Sequence, residues 1–179
     1  MGVWADGQET QMKSSLLTLL IYLLVLIVLG CDRVGSRGAE DVKVGNRAPA
    51  FSLQSLAGET VTSRSYGGHI LIVNFWASWC EPCKKEMPIL KQLADSSEAK
   101  VVGIALDEGG LKAVKPFVEK YSINYTILLG NQDVFTRFQG FGIPYTLVLD
   151  PKQQIVSIYR GPVTREALEQ DVQKIQQGI

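Results

Sequence analysis

Residues 76–83 read WASWCEPC, and this stretch decides both the fold and the chemistry of the chain. The run before it, HILIVNFW at 69–76, is apolar and rich in β-branched residues, which predicts a buried central strand. The run after it, 82–94, carries apolar residues at helical spacing. Cys80 and Cys83 are therefore predicted to lie where a strand ends and a helix begins.

A cysteine at a helix N-terminus faces unpaired backbone N–H groups and the positive end of the helix dipole, which favour thiolate over thiol. Two intervening residues let Cys80 and Cys83 close a small disulfide ring or open to a dithiol. A purely structural disulfide across so short a loop would constrain the unfolded chain very little. Zinc would need two more ligands, but Cys31 lies in another region and His69 is the only histidine. The pair is predicted to be a redox dithiol, with no metal site.

Composition excludes some classes of function. The chain has 179 residues, a length that is enough for one globular domain and an appendage. Its net formal charge is zero. The sequence contains no basic cluster that could follow a phosphate backbone, which argues against nucleic acid as a partner.

The appendage is predicted at the N-terminus. Residues 16–29 are aliphatic except for Thr18 and Tyr22, a length that suits a signal peptide better than a spanning helix of about 20 residues. The run ends in VLGC at 28–31, which resembles the lipobox of bacterial lipoproteins. This resemblance implies that Cys31 is lipidated and becomes the first mature residue. An uncleaved membrane anchor is the alternative, and both place the rest of the chain outside the cytoplasm, attached to a membrane.

The first eleven residues make a poor leader, because they include Asp6 and Glu9 and no basic residue. A chain that starts at Met12 has a compact, positively charged leader, so we expect Met12 to be the true start. The predicted organisation is a leader or anchor over 1–31, a flexible tether over 32–44 and a globular domain over 45–179.

Beyond the tether, strand and helix patterns alternate. The expected order is a hairpin (51–53 and 59–62), the central strand, the helix after Cys80, a strand (100–106), a helix (110–121), an extended piece (126–129), a short helix (134–139), two strands (145–149 and 155–159) and a helix (164–175). A β-α-β half followed by a ββα half predicts an α/β fold, with a mixed sheet and helices on both faces.

The motifs of the domain are GNRAPAFSL at 45–53, VNFWASWCEPCKKEMP at 73–88 and GIPYT at 142–146. They resemble the thioredoxin-fold superfamily and, within it, the TlpA/ResA-like membrane-anchored thiol-disulfide oxidoreductases, over residues 42–177. The resemblance implies a thioredoxin-like mixed β-sheet with an N-terminal β-hairpin extension.

The same resemblance assigns residues to a substrate site. Pro144 is expected to follow a cis peptide bond and to lie against the dithiol. Trp79 and Ile143 are expected to contact the substrate chain together with Pro144.

The resemblance also suggests how the dithiol is tuned. Thioredoxin proper has a buried aspartate where this chain has Asn74, and the ResA-like branch has a glutamate matching Glu86. Glu86 lies three residues after Cys83, nearly one helical turn, so it can approach the sulfurs; a solvated helix charge is the alternative. Glu81 adds negative charge between the cysteines. Acidic neighbours raise a thiol pKa and disfavour the reduced form, which predicts a reductant.

The predicted function is an enzyme that reduces protein disulfides outside the cytoplasm and needs no cofactor. Cys80, expected at the exposed helix end, attacks the substrate disulfide, and Cys83 resolves the mixed disulfide. The resemblance implies a membrane electron donor of the CcdA/DsbD type. It also implies apocytochrome c, during cytochrome c maturation, as one candidate substrate among exported disulfide proteins.

Three other functions are alternatives for this fold and cysteine pair. A peroxiredoxin-like peroxide reductase shares the first motif, but residues 74–78 do not match the PxxxTxxC pattern of its peroxidatic cysteine. A copper chaperone of the Sco type needs cysteines spaced by three and a downstream histidine, which this sequence lacks. A disulfide-forming oxidase has the same fold and dithiol, and only the redox potential separates it from a reductase.

Overall fold

The computed structural model describes residues 41–178. The predicted leader, the start at Met12 and the lipidation site Cys31 lie outside the described residues. Within 41–178, no helix is long and apolar enough to cross a membrane.

The described residues form one mixed sheet with four α-helices. The strands are β1 (Ser52–Ser55), β2 (Thr60–Thr62), β3 (Leu71–Trp76), β4 (Lys100–Ala105), β5 (Thr126–Leu129), β6 (Tyr145–Leu149) and β7 (Ile155–Arg160). The helices are α1 (Glu81–Ser96), α2 (Leu111–Lys120), α3 (Gln132–Arg137) and α4 (Arg165–Gln176), and a 3-10 helix covers Ser63–Tyr66.

The strand order is β2-β1-β5-β4-β3-β6-β7. β3 lies in the interior of the sheet, parallel to β4 and antiparallel to β6. In the N-terminal β1–β2 hairpin, β1 pairs antiparallel with β5, so the hairpin extends the sheet at the edge opposite β7. This arrangement confirms the predicted α/β fold, with its mixed sheet and N-terminal β-hairpin.

Both faces of β3 are buried, which explains why its sequence is apolar at every position except Asn74. Ile72 and Trp76 pack in one core cluster with residues of α1, α2 and α4, while Leu71, Val73 and Phe75 pack in a second cluster with α3. Helices therefore cover both faces of the sheet, as predicted.

Two of the differences between the predicted and the observed boundaries have a clear structural cause. Val42 is 5% exposed and packs in the cluster that contains α3, so the packed chain includes a residue that was predicted to belong to the tether. The helix expected over 134–139 instead occupies Gln132–Arg137, because the side chain of Asn131 accepts a hydrogen bond from the Val134 N–H (3.0 Å) and caps the helix two residues earlier. The cap predicted at Thr164 is present and accepts from Ala167 N–H.

Candidate active site

Cys80 and Cys83 form a disulfide at the start of α1, with their Cα atoms 5.3 Å apart. Cys80 is the N-cap residue, and its Sγ accepts a hydrogen bond from the backbone N–H of Cys83 (3.3 Å). Pro82 occupies the first turn, where its missing N–H costs no helical hydrogen bond. The sulfur of Cys80 therefore faces the helix N-terminus, where a thiolate is favoured.

Cys80 is more buried than the sequence suggested. It is 4% exposed and Cys83 is 1% exposed, so the expectation of an exposed Cys80 is wrong for the disulfide form. The reason is that both cysteines pack into the core cluster of α1 and β3. Trp79, in contrast, is 68% exposed directly beside the disulfide.

The loop before the disulfide is held by Asp107, which follows β4. The backbone N–H of Ser78 donates to both carboxylate oxygens of Asp107 (3.2 and 3.1 Å), and the Ser78 hydroxyl donates to Oδ1. Asp107 is 7% exposed. Sequence reasoning missed Asp107, although its signal was available: β3 and β4 are parallel neighbours, so the residues that follow them meet at the same edge of the sheet.

Glu86 lies within the core and is not a solvated helix charge. It is 2% exposed, and its carboxylate accepts hydrogen bonds from Asn74 Nδ2 (2.7 Å) and from the Val163 N–H (3.2 Å). Asn74 Nδ2 also donates to the hydroxyl of Thr146 (2.9 Å). The buried carboxyl beside Asn74 therefore comes from helix α1, whereas the buried aspartate of thioredoxin proper occupies the position of Asn74 itself, on strand β3.

Burial raises the pKa of Glu86 to about 7, while the hydrogen bonds from Val163 and Asn74 act to lower it. A carboxyl with such a pKa can hold or release a proton near neutral pH. Glu86 and Cys83 are both buried and lie three residues apart on α1, where side chains are neighbours.

Glu81 has a different environment from the one expected. It is exposed and forms an ion pair with Lys84, whose hydrogen bond and charge lower the pKa of Glu81. Glu81 therefore carries its negative charge beside a positive one. Its predicted effect on the thiolate is offset by Lys84, a pairing that the i, i+3 spacing could have revealed.

The Ile143–Pro144 peptide bond is cis, as the resemblance implied. Pro144 is buried, and its carbonyl accepts a hydrogen bond from the Gly161 N–H (2.9 Å). Ile143 is half-buried and packs against the core cluster that contains both cysteines.

An open groove of about 690 Å³ lies beside this loop. Trp79 and Ile143, two of the residues predicted to contact substrate, both line it, together with Asp107, Glu108 and Phe141. Phe141 is 81% exposed and was not singled out from the sequence. The groove offers apolar surface beside Trp79, the residue before Cys80, which suits an extended polypeptide. Within 41–178, no cluster of His, Cys, Asp or Glu could hold a metal ion.

Comparison with known proteins agrees with this site. The sequence model of the AhpC/TSA family matches residues 44–162. The thioredoxin-like protein YneN of Bacillus subtilis is 32% identical over 133 residues, covering 72% of this chain and 78% of YneN. The thiol-disulfide oxidoreductase ResA of Geobacillus thermodenitrificans is 32% identical over 161 residues, covering 87% and 92%. The crystal structure of a thiol:disulfide interchange protein from Chlorobium tepidum superposes with a TM-score of 0.65 at 28% identity, covering 75% and 98%.

Proposed function

Because the chain belongs to the AhpC/TSA family and, within it, to the ResA-like thiol-disulfide oxidoreductases, we propose that it reduces disulfides in exported proteins. The observation that carries the proposal is the disulfide at the N-terminus of α1 with a buried carboxyl, Glu86, one helical turn beyond Cys83. A carboxylate near the sulfurs disfavours the thiolate, and a dithiol that is less stabilised in its reduced form is a better reductant.

The reaction proceeds through a mixed disulfide. The Cys80 thiolate attacks one sulfur of the substrate disulfide; a Cys80–substrate disulfide forms, and the second substrate sulfur leaves as a thiolate and takes up a proton. Cys83 then attacks the Cys80 sulfur and releases the first substrate sulfur. Two electrons have passed to the substrate, and Cys80–Cys83 is a disulfide again.

Glu86 supports the second step. Cys83 is buried and its thiol must lose a proton before it can attack. Glu86, which has a pKa of about 7 and lies three residues after Cys83 on α1, is the proposed acceptor of this proton. Asn74 and Val163 fix the carboxyl in place through their hydrogen bonds.

Anchoring and partners extend the proposal. The VLGC pattern at 28–31 and the leader expected from Met12 onward support an extracytoplasmic, membrane-anchored domain. In such a compartment the oxidised pair needs a reductant, for which a membrane electron donor of the CcdA/DsbD type is suited. Apocytochrome c before haem attachment is one proposed substrate among exported disulfide proteins, on the resemblance of the motifs at 73–88 and 142–146 to the TlpA/ResA-like family.

The redox potential tests the direction of the reaction. We expect a value nearer that of thioredoxin, about −270 mV, than that of the oxidant DsbA, about −120 mV. Glu86→Gln removes a buried negative charge, so it should lower the cysteine pKa values and shift the potential upward. Equilibration in glutathione buffers measures the redox potentials of the wild type and of Glu86→Gln, with the exposed Glu119→Gln as the control. A wild-type potential near −120 mV would contradict the reductase and favour the disulfide-forming oxidase.

Mass spectrometry tests the anchor. The mature protein isolated from membranes should begin at Cys31 and carry two acyl chains on that residue, and Cys31→Ser should be released or misprocessed. An intact N-terminus at Met1 or Met12 would exclude cleavage and support the uncleaved anchor.

A further inference from the structure

The loop of residues 141–143 forms a ridge between two depressions. On one side lies the large groove, with Trp79 and Glu108. On the other side lies a smaller depression of about 180 Å³, bounded by Tyr145, Arg160 and Gly161. The ridge precedes Pro144, so a polypeptide that crosses it beside the disulfide would contact both depressions.

Arg160 is held in a defined position beside this ridge. It is the last residue of β7 and pairs in register with Tyr145 of β6. Its guanidinium carbon lies 5.5 Å from the ring centroids of both Phe141 and Tyr145, within the range of cation–π contacts. The following residue, Gly161, donates its N–H to the Pro144 carbonyl (2.9 Å), which ties this strand end to the cis-proline loop.

The charge of Arg160 is not balanced by a carboxylate within residues 41–178. The ion pairs in this part of the chain use Lys43, Lys84, Arg165 and Lys174 as their basic partners. Arg160 is exposed. Since two aromatic rings contact the guanidinium, its planar fork of N–H donors is preoriented and suited to a carboxylate.

We propose that Arg160 is a specificity residue that binds an acidic side chain of the protein substrate close to its reactive cysteine. The inference rests on the proposed function, because it requires a polypeptide bound across the ridge of residues 141–143. Tyr145, which pairs with Arg160, lies two residues after Ile143, or about 7 Å along an extended chain. The acidic side chain is therefore expected about two residues from the substrate residue that faces Ile143. Phe141 forms the exposed wall of this subsite.

Formation of the mixed disulfide measures this preference directly. The reduced Cys83→Ser protein, in a Cys31→Ser background, is mixed with peptides whose single cysteine carries 2-mercaptoethanol as a neutral disulfide cap. Attack by Cys80 on the peptide sulfur forms the protein–peptide disulfide and releases 2-mercaptoethanol. The peptides differ only in having Glu, Gln or Lys two residues before or two residues after the cysteine. The readout is the adduct rate, which does not depend on the redox potential.

We expect the Glu peptide of one series to react about five-fold faster than the Lys peptide at low salt, with the difference shrinking at high salt. Arg160→Gln should remove the preference, and Arg160→Glu should reverse it in favour of Lys, an outcome that misfolding cannot produce. Lys152→Gln removes an exposed charge from the β6–β7 turn and should leave the preference intact.

The assignment of Arg160 would be overturned if the protein that retains Arg160 reacts at equal rates with the Glu, Gln and Lys peptides of both series, or if Arg160→Glu does not reverse the preference. Either result would leave the reductase proposal in place. Failure of every peptide to form an adduct would contradict the proposed function itself, and the Arg160 subsite with it.

Discussion

Replacing Cys83 with serine is expected to abolish disulfide turnover and to accumulate a covalent complex between Cys80 and the substrate. Attack by Cys80 survives, since its sulfur still lies at the N-terminus of α1, but the group that resolves the mixed disulfide is missing. Non-reducing electrophoresis followed by peptide mapping measures the complex. The experiment needs a Cys31→Ser background, so that the trapped cysteine is unambiguous.

Cys80→Ser is the matched control, because it removes the sulfur of the other cysteine of the pair and should trap nothing. In the reduced wild-type domain, Cys80 should also be alkylated faster than Cys83, since its sulfur lies at the N-cap of α1, where the thiolate is favoured. Equal alkylation rates, or a complex trapped through Cys83, would contradict the assigned division of roles.

The fold was predictable because its signals are local. Strand β3 is buried on both faces, so its sequence is apolar except at Asn74, and the Thr164 cap marks the start of α4 directly. The dithiol was predictable for the same reason, because the strand end, the two cysteines and the helix start are contiguous along the chain. Even the ion pair between Glu81 and Lys84, which offsets the charge of Glu81 beside the thiolate, follows from helical spacing.

The rest of the site depends on contacts between distant residues. Ser78 and Asp107 are 29 residues apart, and Glu86 and Val163 are 77 residues apart. Which donors surround Glu86 depends on the approach of the β7–α4 loop, which no local pattern specifies. The ring contacts of Arg160 arise in a similar way, from the pairing of β6 with β7 beside the cis-proline loop. The sequence therefore predicted that Glu86 matters, but not that it is buried and hydrogen-bonded.

The burial of Glu86 should make the stability of the oxidised protein depend on pH. Its pKa is raised from 4.5 to about 7 in the folded state, so at pH values between these two the folded protein keeps a proton that the unfolded chain has lost. Stability falls with increasing pH where the folded state binds more protons. Below pH 4.5 the carboxyl is neutral in both states and this cost is absent; the cost then grows to about 3 kcal/mol above pH 7, at 1.36 kcal/mol per unit of pKa shift.

Glu86→Gln should lack this component, because its amide is neutral at every pH and its carbonyl oxygen can still accept a hydrogen bond. Urea unfolding of the oxidised proteins at pH 4.5, 6 and 7.5 isolates the contribution of Glu86, because all other titrating groups are common to both. We expect the difference in unfolding free energy, wild type minus Glu86→Gln, to fall as pH rises from 4.5 to 7.5, while Glu119→Gln on the surface of α2 runs parallel to the wild type. A difference that stays constant across this range would show that Glu86 has the same pKa in the folded and unfolded protein, near 4.5, and it would then be too acidic to exchange a proton with Cys83 near neutral pH.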